Sequence, residues 1–256
     1  MALKKSDIDE KEHSGLRLVP DSENEAVEAV FRKQFVNHIF FRIIPKWRLV
    51  SDVDKARYKA EFISVFEEFT DDLLLFSYSL VGFDSKADLM FWRVGESLDL
   101  IQDMTAKLYR TRLGSYFEPV DNYLSVTGNK IFVAPGNVVL NGDSARVVAG
   151  DKKYCFVYPI VKSSDWYAIS VKEREEMITE NLMVGMKFEN IKIHMTFAFG
   201  FSDKEYLVIF ETDEPMDFLM LAEELRQTPA SKMTLRGLPV FTCRLRPLSE
   251  CLDALG

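Results

Sequence analysis

The sequence predicts an α+β fold in which two tandem ferredoxin-like repeats form a dimeric α+β barrel within one chain. The main observation is an internal repeat: the segments around Gly82 and Gly200 share an aromatic strand, a turn that begins with Gly-Phe, and a second apolar strand. A repeat whose copies are as far apart as Gly82 and Gly200 is typical of a duplicated domain, because the units of a solenoid are shorter. An antiparallel sheet of this kind carries helices on one face only, so the bare faces of the two sheets are expected to stack and enclose a cavity.

Each copy is predicted to read strand, helix, strand, strand, helix, strand. The first helix of each copy opens with a serine followed three residues later by an acid, Ser51 with Asp54 and Ser170 with Glu173, and such pairs satisfy free amide groups of the first helical turn. The second helix is predicted from side chains that recur on one helical face. These are Leu98, Ile101, Thr105 and Leu108 in the first copy and Phe218, Leu221, Ala222 and Leu225 in the second.

These elements divide the chain into four parts. Residues 1–26 are rich in charge and poor in apolar periodicity, which predicts a flexible N-terminal arm. Residues 27–127 form the first ferredoxin-like repeat, and residues 153–256 form the second, which holds the expected pocket. The connecting stretch, residues 128–152, is expected to be a linker that can form an accessory hairpin.

Composition excludes several classes of protein. The 256 residues are 47% hydrophobic, which is ample for a packed core, and the net charge of -8 argues against nucleic-acid binding, which needs a basic surface. Three cysteines, Cys155, Cys243 and Cys251, lack the spacing of a disulfide framework or a zinc site and fit a reducing compartment. No apolar run is long enough to span a membrane. We therefore expect a soluble, cytoplasmic protein without a nucleic-acid partner.

Residues 158–181 read YPIVKSSDWYAISVKEREEMITEN and run from a strand through an aromatic pair into the capped helix of the second copy. This run resembles the chlorite dismutase-like family, which includes the coproheme decarboxylases. Other segments resemble the same family in the same order: PKWRLV, VGFDSKADLMFW and LGSYFEPVDNYLSVT in the first copy and LPVFTCRL in the second. The resemblance implies a homo-oligomer, often a pentamer, with one pocket per subunit for haem or coproheme, a porphyrin-like small molecule, in the C-terminal half.

Asn181 occupies the position at which the family has the proximal histidine that ligates haem iron. On the predicted helix Arg174, Met177 and Gly185 share its stripe, which indicates that Asn181 points inward. An amide is a poor iron ligand beside imidazole, thiolate or phenolate. The glutamate that supports the histidine in the family is matched here by Ala230, so two groups of the iron site are replaced.

His194 stands on the next strand, where the family places the residue on the distal side of the haem. Strand alternation puts His194 and Thr196 on a smaller, more polar face and Ile193 and Met195 on the opposite one. The residues alone leave three roles open for His194: it could ligate iron, act as an acid or base near neutral pH, or hydrogen-bond within the barrel.

Tyr158 and Lys162 match the positions at which coproheme decarboxylases carry a redox-active tyrosine and a lysine that contacts the propionate to be removed. Since they are four residues apart on a predicted strand, they are expected to project from one face, where a phenol and an ammonium can meet a carboxylate. Both are also ordinary strand residues with an apolar body and a polar tip. Trp166 and Tyr167 match the family's aromatic pair, either as cofactor-binding residues or as core aromatics.

Two functions from different classes stay open. In the first, the protein is a haem-dependent oxidoreductase related to coproheme decarboxylase, with Tyr158 and Lys162 as catalytic residues and iron held weakly or by His194. In the second, it is a haem-free family member that acts as a binding, regulatory or assembly protein. Tyr158, Lys162 and His194 favour the first function, whereas Asn181 and Ala230 favour the second.

Overall fold

The computed structural model describes residues 34–127, 150, 152–235 and 238–256. The expected N-terminal arm, residues 1–26, and nearly all of the expected linker, residues 128–152, lie outside the described residues.

Eight strands and seven α-helices follow one another in the described residues. The strands are β1 (Phe35–Ile43), β2 (Leu74–Ser79), β3 (Leu89–Gly95), β4 (Phe117–Val126), β5 (Tyr154–Ile160), β6 (Lys192–Phe197), β7 (Tyr206–Thr212) and β8 (Phe241–Leu245). The helices are α1 (Asp52–Glu67), α2 (Leu98–Arg110), α3 (Ser164–Ala168), α4 (Val171–Met186), α5 (Pro215–Gln227), α6 (Pro229–Lys232) and α7 (Leu248–Asp253). None of these helices is long and apolar enough to cross a membrane.

The strands close into one barrel in the order β1-β3-β2-β8-β5-β7-β6-β4. Each repeat contributes four antiparallel neighbours in the same internal order, β4-β1-β3-β2 from the first and β8-β5-β7-β6 from the second. The repeats join at two seams, where β2 pairs with β8 and β4 pairs with β6. Closure removes the open edges that would otherwise recruit other strands. The predicted fold class, two ferredoxin-like repeats in a dimeric α+β barrel, is confirmed.

The two repeats begin their long helices in the same way. Ser51 accepts a hydrogen bond from the Asp54 amide at the start of α1, and Ser170 and Glu173 form a complete capping box at the start of α4. Both helices are 16 residues long. The local sequence pattern therefore sets the start of each helix, as predicted.

The interior of the barrel is packed with side chains. Val36, Phe40, Tyr78, Trp92 and Phe241 are among fifteen buried residues that meet there. An eight-stranded barrel is just wide enough for side chains to fill it. The expectation that the bare sheet faces enclose a cavity is therefore wrong for this part of the molecule, because the side chains of the two sheets pack against one another.

The outward faces of the two sheets are covered by helices in two separate layers. We call the space between α1, α2, α7 and the outward face of β1–β4 the first layer, and the space between α4, α5, α6 and the outward face of β5–β8 the second layer. Among the described residues the first layer holds nineteen buried apolar residues, whereas the second holds five. The second layer is therefore the less completely filled of the two.

The C-terminal helix contributes to this difference, because it returns to the first repeat. Leu248, Cys251, Leu252 and Leu255 are buried in the first layer. The chain end is also tied there, since the indole nitrogen of Trp47 donates a hydrogen bond to the carbonyl oxygen of the last residue at 2.8 Å. Residues 248–256 thus close the first layer, and within the described part of the chain no equivalent helix covers the second.

We expect the first layer to be a major source of stability. Phe62 is 2% exposed and packs against Phe91 and Phe117, so Phe62→Ala should lower the free energy of unfolding by about 3–5 kcal/mol in chemical denaturation. The matched control is Phe83→Ala, which removes the same atoms from a side chain that is 51% exposed and should cost less than about 1 kcal/mol. Equal losses in the two variants would contradict this account of the core.

Candidate functional site

The second layer lacks two aromatic side chains that fill the first. Asn181 and Gly185 stand at the same distances from the N-cap of α4 as Phe62 and Phe66 stand from the N-cap of α1. Phe62 and Phe66 both pack against Phe91, which lies on the sheet beneath α1. Replacing two phenylalanines with an asparagine and a glycine removes most of that volume from the second layer. The duplication therefore provides an internal reference that locates a site.

Gly185 brings α4 close to the sheet at one end of the layer. A Cβ atom at this position would lie 2.9 Å from Cδ1 of Ile193, closer than ordinary carbon contacts allow. Nevertheless Ile193 is 40% exposed, and Met195 and Phe197 on the same face of β6 are only partly buried. The outward face of β6 is therefore covered incompletely by α4, although the two elements touch.

Asn181 directs a polar atom into this layer. Its Oδ1 atom is buried and has no hydrogen-bond donor within the described residues. A buried acceptor without a partner is uncommon in folded proteins and costs free energy unless a water or ligand satisfies it. The sequence prediction that Asn181 points inward agrees with this position.

Tyr158 lies on the wall of the same layer. Its ring meets Phe210 and Phe218 edge-on, with ring centroids 5.6 and 5.7 Å away. Burial raises the pKa of the Tyr158 phenol, and the nearby Arg226 guanidinium opposes that rise. Tyr158 is therefore a neutral phenol at physiological pH, packed among aromatic rings beside a cation.

Lys162 lies beyond the end of the strand that carries Tyr158. Because β5 ends at Ile160, Lys162 is not part of that strand, although it forms a single β-bridge with Thr234. Its Nζ atom donates hydrogen bonds to the Ala230 carbonyl oxygen and to Thr234 Oγ1, both at 2.8 Å. The ammonium is thus held against α6, the helix that contains the position matched to the family's glutamate.

The environment of Lys162 lowers the affinity of its amine for a proton. Burial lowers the pKa of Lys162 to about 8, while the Glu205 carboxylate acts in the opposite direction. The ammonium also lies 4.3 Å from the centroid of the Trp166 ring, which favours the charged form by a cation–π contact. A lysine in this state is a cation that can release a proton near neutral pH.

Trp166 and Tyr167 occupy the short helix α3 and differ in burial. Trp166 is 2% exposed and hydrogen-bonds through its side chain to Tyr206, whereas Tyr167 is 46% exposed and hydrogen-bonds to Glu205. Glu205 also accepts a 2.7 Å hydrogen bond from the backbone nitrogen of Lys162. Glu205 therefore links two of the candidate residues, Lys162 and Tyr167. Sequence reasoning missed it because no local motif distinguishes an isolated glutamate after a turn.

His194 does not face the second layer. Its Nε2 atom lies 2.9 Å from Glu211 Oε2, and its ring meets Trp92 edge-on in the barrel interior at 5.4 Å between centroids. Since Ile193 on the same strand faces α4, alternation turns His194 to the other side of the sheet. The structure therefore separates His194 from Asn181, and an iron atom in the second layer would be out of its reach. Of the three open roles, hydrogen bonding within the barrel is the one this position supports.

His38 joins His194 in the interior. It is fully buried, its ring lies 4.9 Å from that of Trp92, and neither ring nitrogen has a hydrogen-bond partner among the described residues. Burial lowers the pKa of His38 to about 3, and the charge on His194 acts in the same direction. In the described residues no group of three or more His, Cys, Asp and Glu side chains is arranged to hold a metal ion.

Comparison with known proteins places these features in a wider context. The family model described as chlorite dismutase matches residues 55–246. A coproheme decarboxylase from Mycolicibacterium smegmatis is 27% identical over 168 residues, covering 64% of this chain and 70% of that protein. A chlorite dismutase from Ideonella dechloratans is 24% identical over 229 residues, covering 87% and 80%. Among solved structures, a mutant chlorite dismutase from Candidatus Nitrospira defluvii superposes with a TM-score of 0.79 at 23% identity, covering 86% of this chain and 94% of that one.

The buried state of His38 predicts an acid-sensitive component of stability. The folded ring stays neutral down to about pH 3, while an unfolded histidine binds a proton below about pH 6.5, so the unfolded state takes up more protons between these values. As the pH is lowered through this window, the free energy of unfolding should therefore decrease by about 1.4 kcal/mol per pH unit because of this residue. Urea unfolding of wild type and His38→Phe between pH 7.5 and 5 measures the component as a difference in slope. Identical slopes in the two proteins would contradict the assignment.

Proposed function

The chain belongs to the chlorite dismutase family, and from that premise we propose that it binds a planar, carboxylate-bearing tetrapyrrole of the haem or coproheme type in the second layer. The observation that carries the proposal is the exchange of Phe62 and Phe66 in the first layer for Asn181 and Gly185 in the second. A flat macrocycle needs a slot between a helix and a sheet, and this exchange removes the side chains that would fill such a slot.

The groups around the second layer suit the periphery of that ligand. Phe210, Phe218 and the ring of Tyr158 offer flat apolar surface for the macrocycle. Lys162 and Arg226 supply positive charge for peripheral carboxylates, and an ammonium with three donors can bind a carboxylate while it keeps contacts to α6. These features support an anionic planar ligand over a neutral one.

The described residues offer poor ligands for an iron atom at the centre of the macrocycle. In the described residues both histidines, His38 and His194, lie in the barrel interior, so no imidazole faces the second layer. Asn181 supplies only an amide, and Ala230 is fully buried and has no carboxylate to support a ligand. The residues present therefore fit the body of a haem and do not fit an iron–histidine bond. We accordingly place tetrapyrrole binding ahead of iron-based redox catalysis as the function.

A second candidate function is the oxidoreductase related to coproheme decarboxylase. It is favoured by a buried phenol, Tyr158, and a cation of lowered pKa, Lys162, near the same layer. In that function the phenol would exchange an electron and a proton while the ammonium positions a carboxylate. Conversion of coproheme by the purified protein, lost in Tyr158→Phe, would establish this candidate over binding alone.

Oligomer formation is part of the proposal. The outer sides of α4 and α5 expose apolar side chains in the second repeat, namely Met183, Met186, Met216, Leu219 and Met220. Surface methionines in such numbers mark a contact surface, because thioether side chains adapt to a partner's shape. A closed homo-oligomer, as in the pentamers that the resemblance implies, would cover them.

We expect light scattering to report a mass that is a multiple of the 29.5 kDa chain. The double change Met186→Lys with Met216→Lys should lower that mass, since two exposed apolar side chains would become charges within the contact surface. Val53→Lys is the control, because Val53 is 82% exposed on α1 and lies in the other repeat. A wild-type protein that stays at one chain mass across micromolar concentrations would contradict the homo-oligomer.

We expect Asn181→His to strengthen haem binding at least about tenfold over wild type, because imidazole offers a nitrogen donor that the amide lacks. The measurement is a haem titration followed by the Soret band. His194→Gln is the companion variant: it keeps a donor for Glu211 and should leave haem affinity unchanged, since His194 faces the barrel interior. Tight haem binding by wild type that disappears in His194→Gln would overturn this placement of the ligands.

A further inference from the structure

Asn181 presents an oxygen acceptor to the second layer, whereas an iron–histidine bond would need a nitrogen ligand there. The Oδ1 atom of Asn181 is buried and without a donor, and it lies on the inward stripe of α4 next to Gly185. Among the described residues neither the histidines nor the thiols of Cys155 and Cys243 can take its place, because all four side chains lie in the barrel interior. Asn181 is therefore the polar group of α4 that a bound macrocycle would meet.

The chemistry of an amide oxygen restricts the groups that Oδ1 of Asn181 can bind. It is a hard donor, suited to metals that accept oxygen, and it also accepts hydrogen bonds from water polarised by such a metal. Ferrous iron in a porphyrin is instead stabilised by imidazole, thioether or thiolate ligands. A metal-free macrocycle offers two N–H groups at its centre, but these lie in the plane of the ring and point across it, so they would satisfy an acceptor on one face of the ring poorly and most of the cost of burying Oδ1 would remain.

We propose, building on the proposed function, that the second layer selects tetrapyrroles whose central metal accepts an oxygen donor, such as zinc, magnesium or ferric iron, and that Asn181 determines this selectivity. Asn181 would interact with the metal through Oδ1, either by binding it directly or by accepting a hydrogen bond from a water on the metal. The remaining contacts of the layer hold the rim and the faces of the macrocycle and do not distinguish one central atom from another. The layer thereby keeps the family's slot while changing which form of the ligand it favours.

The experiment compares zinc protoporphyrin with metal-free protoporphyrin by fluorescence titration. Wild type should bind the zinc form at least about tenfold more tightly. Asn181→Leu, which has a similar size and no acceptor, should lose this preference, while Asn181→Asp, which keeps an oxygen, should retain it. Asn190→Leu makes the same chemical change at an exposed position outside the helix and should leave the preference intact. Circular dichroism and thermal unfolding check that each variant is folded.

A second measurement uses haem itself and needs no enzymatic activity. Reduction of bound ferric haem should weaken binding to wild type, seen as transfer of haem to an apo-myoglobin acceptor, whereas Asn181→His should hold the ferrous form more firmly. The outcomes separate the two proposals. If neither porphyrin binds, the proposed function fails and this inference fails with it. If both porphyrins bind equally to wild type and to Asn181→Leu, tetrapyrrole binding stands and the selectivity assigned to Asn181 is overturned.

Discussion

Every strand of the closed barrel divides its side chains between two compartments, and the rest of the structure depends on this division. Successive side chains point to opposite faces of a sheet, so each residue faces either the barrel interior or a helix layer. A shift of one residue exchanges the two: Ile193 touches α4, while His194 contacts Glu211 and Trp92 inside the barrel. The chemistry available to the second layer is thus decided by which residues the alternation sends outward.

Duplication with unequal filling explains how one chain combines a stable core with a site. The first layer receives the aromatic side chains of α1 and, in addition, the C-terminal helix α7, which sequence order would assign to the second repeat. The second layer keeps the same helix length and a serine N-cap but replaces Phe62 and Phe66 by Asn181 and Gly185. Stability and binding compete for the same space, since a slot left for a ligand cannot be filled with core side chains.

Polar groups inside the molecule are arranged to keep the barrel intact. Glu211 is fully buried and accepts hydrogen bonds from the Gly150 amide at 2.9 Å and from Tyr78 at 3.4 Å, in addition to its contact with His194. Buried carboxylates need such partners because an unpaired one would be strongly destabilising. A buried charge is paired in the same way in the first layer, where the Arg93 guanidinium donates hydrogen bonds to Asn37 and to acceptors on α2. His194 therefore belongs to the barrel's own hydrogen bonding.

The sequence by itself determined the order of elements, the two-fold repeat and the start of each long helix, because capping boxes and apolar periodicity are local signals that act within a few residues. It also indicated the inward direction of Asn181, which follows from helical periodicity alone. Only the tertiary structure decided that the barrel is filled, that α7 covers the first layer, that Lys162 turns to α6 and that His194 faces Glu211. Each of these features depends on which element packs against a given face of a strand. That packing is set by contacts between residues far apart in the chain, for which a single sequence carries no local signal.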